Sequence, residues 1–178
     1  IVVSHASKIA SNNNLQNINN MVKRTRRIKR KSKKKIASDY PKQYTAKLSR
    51  KDKKKQLTAL GKLKKAYSKG NYLDRPTLKS YKKKESGWTA KFHKLYPEAK
   101  SIKQVAKAVK ISEKALREVI KKGKGAYYSS GSRPNQTASS WGKARMYAYI
   151  LGSPTRRVDH HITEKYKVKF IHKPNFYP

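Results

Sequence analysis

Three serines near the middle of the chain are the side chains best placed for binding chemistry. Ser129, Ser130 and Ser132 lie in the run GAYYSSGSRPNQT, directly before a predicted helix. Hydroxyl and backbone N–H groups at the start of a helix can hold an anion, because the helix dipole favours negative charge there. The spacing is not that of a phosphate-binding loop, so a packed loop and helix without a ligand stays the main alternative.

The remaining reactive side chains offer no clear catalytic centre or metal site. The nine carboxylates are scattered, cysteine is absent, and the sequence contains no glycine-rich nucleotide-binding motif. Asp159, His160 and His161 are the nearest approach to a ligand cluster, yet adjacent residues on a helix point in different directions. A solvated surface pair is the more typical role. We therefore expect a protein that is not an enzyme and uses no metal or cofactor.

Net charge is the strongest indication of function. The 178 residues include 47 Lys and Arg but only 9 Asp and Glu, which gives a formal charge of +38. Self-repulsion of this size opposes a compact chain unless an anionic partner neutralises it. Nucleic acid, an anionic membrane surface and an acidic protein surface all meet this requirement. The apolar runs are too short to span a bilayer.

The densest positive charge lies in residues 23–35, where ten of thirteen residues are basic. Like charges at this density repel one another and favour an extended chain. Such a run is either a strap on phosphates or an acidic surface, or a solvated tail or localisation signal, and composition alone does not separate them. The residues assigned to this contact are Lys23, Arg24, Arg26, Arg27, Lys29, Arg30, Lys31, Lys33, Lys34 and Lys35.

Residues 123–152 are poor in charge and predict the core of the fold. Gly131 and Pro134 indicate an ordered loop over residues 126–137. A helix capped by Ser139 or Ser140 follows, and Gly152 ends it. The predicted buried stripe is Trp141, Ala144, Arg145, Ala148 and Leu151, and the motif core is Tyr127, Tyr128, Arg133, Trp141 and Arg145, with Trp141 beside Tyr127 or Tyr128.

Residues 101–122 predict two short helices joined by a tight turn. Ser101 and Gln104 form a capping box, and Ser112 caps a second helix over Glu113–Lys121. This spacing resembles a helix-turn-helix, in which the second helix reads DNA, although plain helical domains contain the same pattern. The candidate reading-helix contacts are Lys114, Arg117 and Lys121.

The rest of the central region is predicted to be mainly helical. One helix begins after Ser49 and stops at Gly70, residues 71–85 are extended or turn-like, a short helix covers residues 88–96, and another covers residues 155–164.

The two ends are predicted to be extended arms. We divide the chain into a basic arm over residues 1–45, a small α-helical domain over 46–165 with sub-blocks 46–97 and 98–165, and an extended tail over 166–178. The fold class is therefore mainly α with extended arms. Apolar residues along the arms are expected to bind grooves of neighbouring proteins. These anchors are Phe170, Phe176 and Tyr177 in the tail, and Ile1, Val2, Tyr40 and Tyr44 in the arm.

Two blocks of sequence resemble a known family. The run GAYYSSGSRPNQTASSWGKARMYAYILG over residues 125–152, continued by residues 158–162, is similar to an uncharacterised domain shared by large nucleocytoplasmic DNA viruses and some tailed phages. Residues 48–88 resemble its upstream half, so the likeness covers most of residues 40–165. Ser153 replaces an expected second glycine. The resemblance implies a basic, virion-associated protein and brings no catalytic residues with it.

Two functions fit these observations. The first is a minor capsid protein on the inner side of an icosahedral virion, bridging the major capsid protein, other minor proteins, the internal membrane or the genome. The second is a protein that binds and condenses viral DNA, with residues 101–122 as a candidate contact. The tails should follow protein surfaces in the first case and phosphates in the second.

Overall fold

A computed structural model describes residues 16–25, 40–82 and 84–175, and these residues are mainly α-helical with no β-strand among them. The chain divides into two units, Ile1–Pro41 and Lys42–Pro178. In the first unit, residues 16–25 form helix α1, whose side chains are all exposed. Lys23 and Arg24 are therefore helical, although an extended run was predicted there. Ile1, Val2 and the other eight basic residues of the run lie outside the described residues.

The second unit contains a short 3₁₀ helix, Lys42–Tyr44, and seven α-helices. These helices are α2 Arg50–Tyr67, α3 Gly87–Leu95, α4 Ile102–Val109, α5 Glu113–Ser129, α6 Ala138–Ile150, α7 Thr155–Val158 and α8 His160–Lys165. The four α-helical regions predicted between residues 49 and 122 are all present. The described residues of the predicted non-helical segment, 71–82 and 84–85, are non-helical.

The core is formed where α5 packs along α6, with α3, α4 and α8 around the pair. On α6 the buried side chains include Met146, Tyr149 and Ile150, which recur at helical spacing. Phe92 of α3 is fully buried, and its ring stacks on Tyr147 with the centroids 4.4 Å apart. The rest of the buried cluster consists of Ala99, Val105, Val109, Ile111, Ala115, Leu116, Val119, Ile120, Leu151 and Ile162.

Helix α5 is longer than the sequence predicted, and this changes the environment of the central motif. It continues through Gly123 to Ser129, so the first third of the predicted loop is helical. A Cβ on Gly123 would lie 2.7 Å from Cα of Gly142, which shows that the two helices touch backbone to backbone. Gly123 allows this close approach, since a larger residue would separate α5 from α6.

The cap and the buried face of α6 also differ from the prediction. Thr137 is the N-cap, and it exchanges hydrogen bonds with Ser140 in a capping box. Trp141 is only partly buried and lies outside the core, with its ring edge-to-face against Tyr44 and the centroids 6.2 Å apart. The predicted stripe is confirmed for Ala148 and Leu151, which are buried. It is wrong for Trp141, because Gly142 faces α5 instead.

The C-terminal residues pack on their own domain. Phe170 lies against the core, 5.0 Å from the ring of Tyr149, and the backbone N–H of Asn175 donates to Gly152 O at 2.9 Å. Tyr44 is also buried within this unit. Phe170 and Tyr44 thus pack within their own unit, whereas the sequence predicted contacts with other subunits for them. The tail stays on the domain because Arg156 donates a hydrogen bond to His172 O and lies over the ring of Phe170. Phe176 and Tyr177 lie outside the described residues.

Candidate nucleic-acid interface

Helices α4 and α5 form the predicted two-helix pair. Three residues join them, and the first, Lys110, has a left-handed backbone with φ of 53°. Ser101 and Gln104 form the predicted capping box, and the Ser112 hydroxyl accepts a hydrogen bond from the N–H of Ala115. The interior of the pair is apolar, as it is in a helix-turn-helix.

The side chains proposed to read DNA lie on the exposed side of α5. Lys114, Arg117 and Lys121 are all exposed and follow one another at spacings of three and four residues. Arg117 pairs with Glu113 one turn earlier, and this pair is solvent-exposed. The structure thus brings the three cations together on one helix face, and the opposite face of α5 packs against α6.

The serine-rich segment is not an anion site at a helix start. Ser129 and Ser130 stand at the C-terminal end of α5, where the helix dipole is negative. Ser132 is fully buried, and its hydroxyl and carbonyl groups both accept hydrogen bonds from Arg75. The hydroxyls are therefore either placed at the wrong helix end or already bonded within the protein.

Arg75 holds the central loop in place, a role that the sequence did not indicate. Its guanidinium donates to Ser132 and to Gln136 O, lies 4.2 Å from the centroid of the Tyr127 ring, and donates to the Tyr127 hydroxyl at 2.9 Å. The Tyr127 hydroxyl in turn donates to Gln136 O at 3.0 Å. This network fixes the loop that connects α5 to α6. The sequence predicted only that Arg75 lies in an extended or turn-like segment, residues 71–85.

Asn135 provides a second fixed point for the same loop. It has a left-handed backbone with φ of 54°, and its side chain bonds the N–H and carbonyl of Leu78 and the carbonyl of Tyr81. The side chain of Asn135 is therefore fully engaged in internal hydrogen bonds. The loop is held against residues 75–81 by side chains from both segments.

Tyr128, the other aromatic residue of the motif, lies at the edge of this network. Its ring stacks on Tyr67 of α2 with the centroids 5.8 Å apart, and meets Tyr72 edge-to-face at 5.0 Å. Burial raises the pKa of the Tyr128 hydroxyl, so the group stays neutral at physiological pH. It connects α5 to the C-terminal end of α2 and does not contact Trp141.

A surface groove of about 1080 Å³ runs between residues 84–91, the central loop and α6. We call it the tryptophan groove, because Trp88 and Trp141, the two tryptophans of the chain, both line it. Its other lining side chains include Lys84, Lys91, Lys100, Arg133, Lys143 and one carboxylate, Glu85. The groove thus combines aromatic rings with an excess of positive charge.

Most of the cations of the groove are not neutralised internally. Lys84, Lys100 and Lys143 are exposed and form no ion pair within the part of the chain that the structure describes. Arg133 is exposed and donates to Gln43 Oε1 at 2.8 Å, which orients the guanidinium without cancelling its charge. Arg145 differs, because it makes two hydrogen bonds to Asp159, at 2.9 and 2.8 Å.

The side chains of Asp159, His160 and His161 are not brought together as a cluster. Asp159 is buried and paired with Arg145, while His160 faces Glu164 at 3.2 Å on the exposed side of α8. Among the described residues, no group of three or more His, Cys, Asp or Glu is placed to hold a metal ion. No helix of these residues is long and apolar enough to cross a membrane.

Comparison with known proteins identifies a family and nothing narrower. Residues 41–165 match the model of a family described as "Family of unknown function (DUF5824)". The match covers more than two thirds of the chain, including every helix from α2 to α8, and the chain belongs to this family. No curated protein and no solved structure matches.

Proposed function

We propose that this member of the DUF5824 family is a structural, non-enzymatic protein of a virus particle that binds DNA on the inner side of the capsid. The observation that supports this proposal is the excess of unpaired positive charge. The chain has 47 Lys and Arg against 9 Asp and Glu, and the described residues form four ion pairs, one of which involves a histidine. A polyanion is needed to neutralise the remainder.

The virion setting rests on the sequence resemblance described above. Of the two original hypotheses, the DNA contact is now the better supported. The case for a pure protein cement depended on apolar anchors reaching neighbouring subunits, and Phe170 and Tyr44 instead pack within their own domain. The other proposed partners are major and minor capsid proteins and an anionic membrane surface. Acidic groups on these partners would bind the basic surface of this protein.

We propose the exposed face of α5 as the main DNA contact. A helix with an exposed row of cations, preceded by a short helix and a three-residue turn, can lie along a groove of duplex DNA with its side chains on the phosphates. Lys114, Arg117 and Lys121 form this row. Their contacts would be mainly electrostatic, so binding should show little sequence preference.

Fluorescence anisotropy with a labelled DNA duplex over a range of salt concentrations tests the proposal. Each phosphate contact contributes about 0.9 to the slope of log affinity against log salt, so changing all three residues to Ala should lower that slope by two to three. The matched control changes Lys54, Lys62 and Lys65 of α2, which are also exposed, and should lower it by less than about one.

Two results would contradict the proposal. Absence of duplex binding at low salt would remove the DNA contact altogether. Equal losses for the α5 and α2 variants would show that charge acts without a preferred face, and would remove the assignment to α5.

A further inference from the structure

The tryptophan groove differs from the rest of the basic surface. The exposed face of α2, by comparison, carries many lysines and no tryptophan. In the groove, both tryptophans of the chain are only partly buried and lie among cations. Lys91 Nζ is 5.8 Å from the centroid of the Trp88 ring, so positive charge and a π face are presented together.

Hydrogen bonds hold the walls of the groove in place. Gln136 Nε2 donates to Lys84 O at 3.3 Å, and the Ser140 hydroxyl donates to Gln136 Oε1 at 3.0 Å. Tyr44 supports Trp141 from the side through its edge-to-face contact. A site whose walls are fixed before binding loses less conformational entropy when a ligand enters.

The composition of the groove fits a ligand that has flat rings and negative charge in alternation. Bases stack on exposed aromatic side chains, and lysines and arginines track the phosphates of a single strand. Duplex DNA offers phosphates to the cations but no free base faces to the tryptophans, because its bases are stacked on one another. An acidic peptide would use the cations and leave the tryptophan faces without a matching group. At about 1080 Å³, the groove is at the upper end of the roughly 300–1,000 Å³ of ligand sites.

We propose that the tryptophan groove binds single-stranded nucleic acid, with unpaired bases on Trp88 and Trp141 and phosphates at Lys84, Lys100 and Lys143. This site deepens the proposed nucleic-acid function and rests on it. It is separate from the α5 face, since α5 contributes no residue to the groove lining. The protein would then hold duplex DNA on one surface and an unpaired segment on another.

Tryptophan fluorescence of the full chain reports directly on this site, because the chain has no other tryptophan. We expect an oligo(dT) strand to quench the emission, and an abasic strand of the same length and charge to bind about ten-fold more weakly because it cannot stack. The variants Trp88→Phe and Trp141→Phe each leave one tryptophan. Quenching in both variants would place bases on both rings.

A charge variant separates the groove from general attraction. Changing Lys84, Lys100 and Lys143 to Ala should lower the salt slope for oligo(dT) by about two, given roughly 0.7 per phosphate contact for single strands. These side chains are exposed, so the fold should be unaffected. The α2 triple variant at Lys54, Lys62 and Lys65 is the matched control and should lower the slope by less than about one.

The outcomes also separate this inference from the proposed function. Anisotropy that shows oligo(dT) binding without any tryptophan quenching would overturn the groove assignment and leave DNA binding intact. Quenching by poly-glutamate at the same concentration as oligo(dT), or equal affinity for the abasic strand, would show that charge alone is recognised and would also overturn it. No binding of any nucleic acid at low salt would overturn both.

Discussion

Gly123 of α5 and Gly142 of α6 meet at the closest approach of the two helices, where a methyl group on Gly123 would lie 2.7 Å from Cα of Gly142. A Cβ on Gly142 would meet the carbonyl oxygen of Ile120 at 2.8 Å. The obstacle is backbone in both cases, so neither helix can adjust by changing a rotamer. The core and one wall of the tryptophan groove both depend on this contact, because α6 contributes to each.

Gly123→Ala should therefore destabilise the protein even though alanine is the better helix former. Overpacking typically costs about 1–3 kcal/mol and outweighs the gain in helix propensity. The control is Gly61→Ala in α2, where the added Cβ meets nothing within 4 Å apart from its own stretch of helix backbone, and it should stabilise the fold by up to about 1 kcal/mol. Chemical denaturation of the three proteins measures both changes. Equal effects at the two positions would show that the helix contact is looser than described.

Removing one partner of the Arg145–Asp159 pair should destabilise the protein strongly, because the other charge is then left buried alone. Asp159 is almost fully buried and receives two hydrogen bonds from Arg145. Arg145→Met leaves this carboxylate buried without its partner, and should lower the free energy of unfolding by about 3–5 kcal/mol. Arg117→Met removes the exposed ion pair with Glu113, one helical turn away. It should lower the free energy of unfolding by no more than about 0.5 kcal/mol.

A second substitution tests the cause of that loss. In the double variant Arg145→Met with Asp159→Leu, no charge is left buried, and most of the lost stability should return. If the double variant is no more stable than Arg145→Met alone, packing and not charge is the reason for the loss.

Arg156 should control whether residues 168–175 stay on the domain. Its guanidinium donates to the carbonyls of Tyr149 and Ile150 at the C-terminal end of α6, and to the carbonyl of His172 in the tail. It also lies 3.6 Å from the centroid of the Phe170 ring. Lysine cannot reproduce this planar set of donors.

We expect Arg156→Lys to expose the tail. Hydrogen–deuterium exchange should accelerate at the backbone N–H of Asn175, which bonds Gly152 O, while the amides of α5 keep their protection. Lys169→Ala removes an exposed cation from the same segment and should leave the exchange of Asn175 unchanged. Unchanged exchange in Arg156→Lys would mean that Phe170 packing alone holds the tail.

Acidic pH should weaken the same attachment through His172. Burial, with the charges of Arg156 and Lys91, lowers the pKa of His172, whose Nε2 is 2.8 Å from the Tyr96 hydroxyl. Since the unfolded chain binds a proton more readily at this position, the contribution of His172 is present above pH of about 6.5 and is lost as the pH falls below it. His172→Gln should flatten this part of the stability profile. A profile with the same slope in both proteins would exclude His172 as the cause.

The sequence by itself determined the helices, because their signals are local. Ser49, the Ser101–Gln104 capping box and Ser112 begin helices where predicted, and Gly152 follows the end of α6. A cap bonds only the next three or four residues, so its effect can be read without knowing the fold. The net charge of the chain and the exposed row of cations on α5 could likewise be predicted from the sequence.

Only the tertiary structure decided which faces are buried and what each special residue does. Gly123 lies beyond the predicted helix Glu113–Lys121, and it is a helix contact because Gly142 lies across from it. Trp141 looked like a core residue, and it lines a groove with Trp88 because α5 occupies the neighbouring side of α6. Arg75, Asn135 and Arg156 bond partners six to sixty-one residues away. Contacts over such separations depend on how the helices pack, and no local pattern records them.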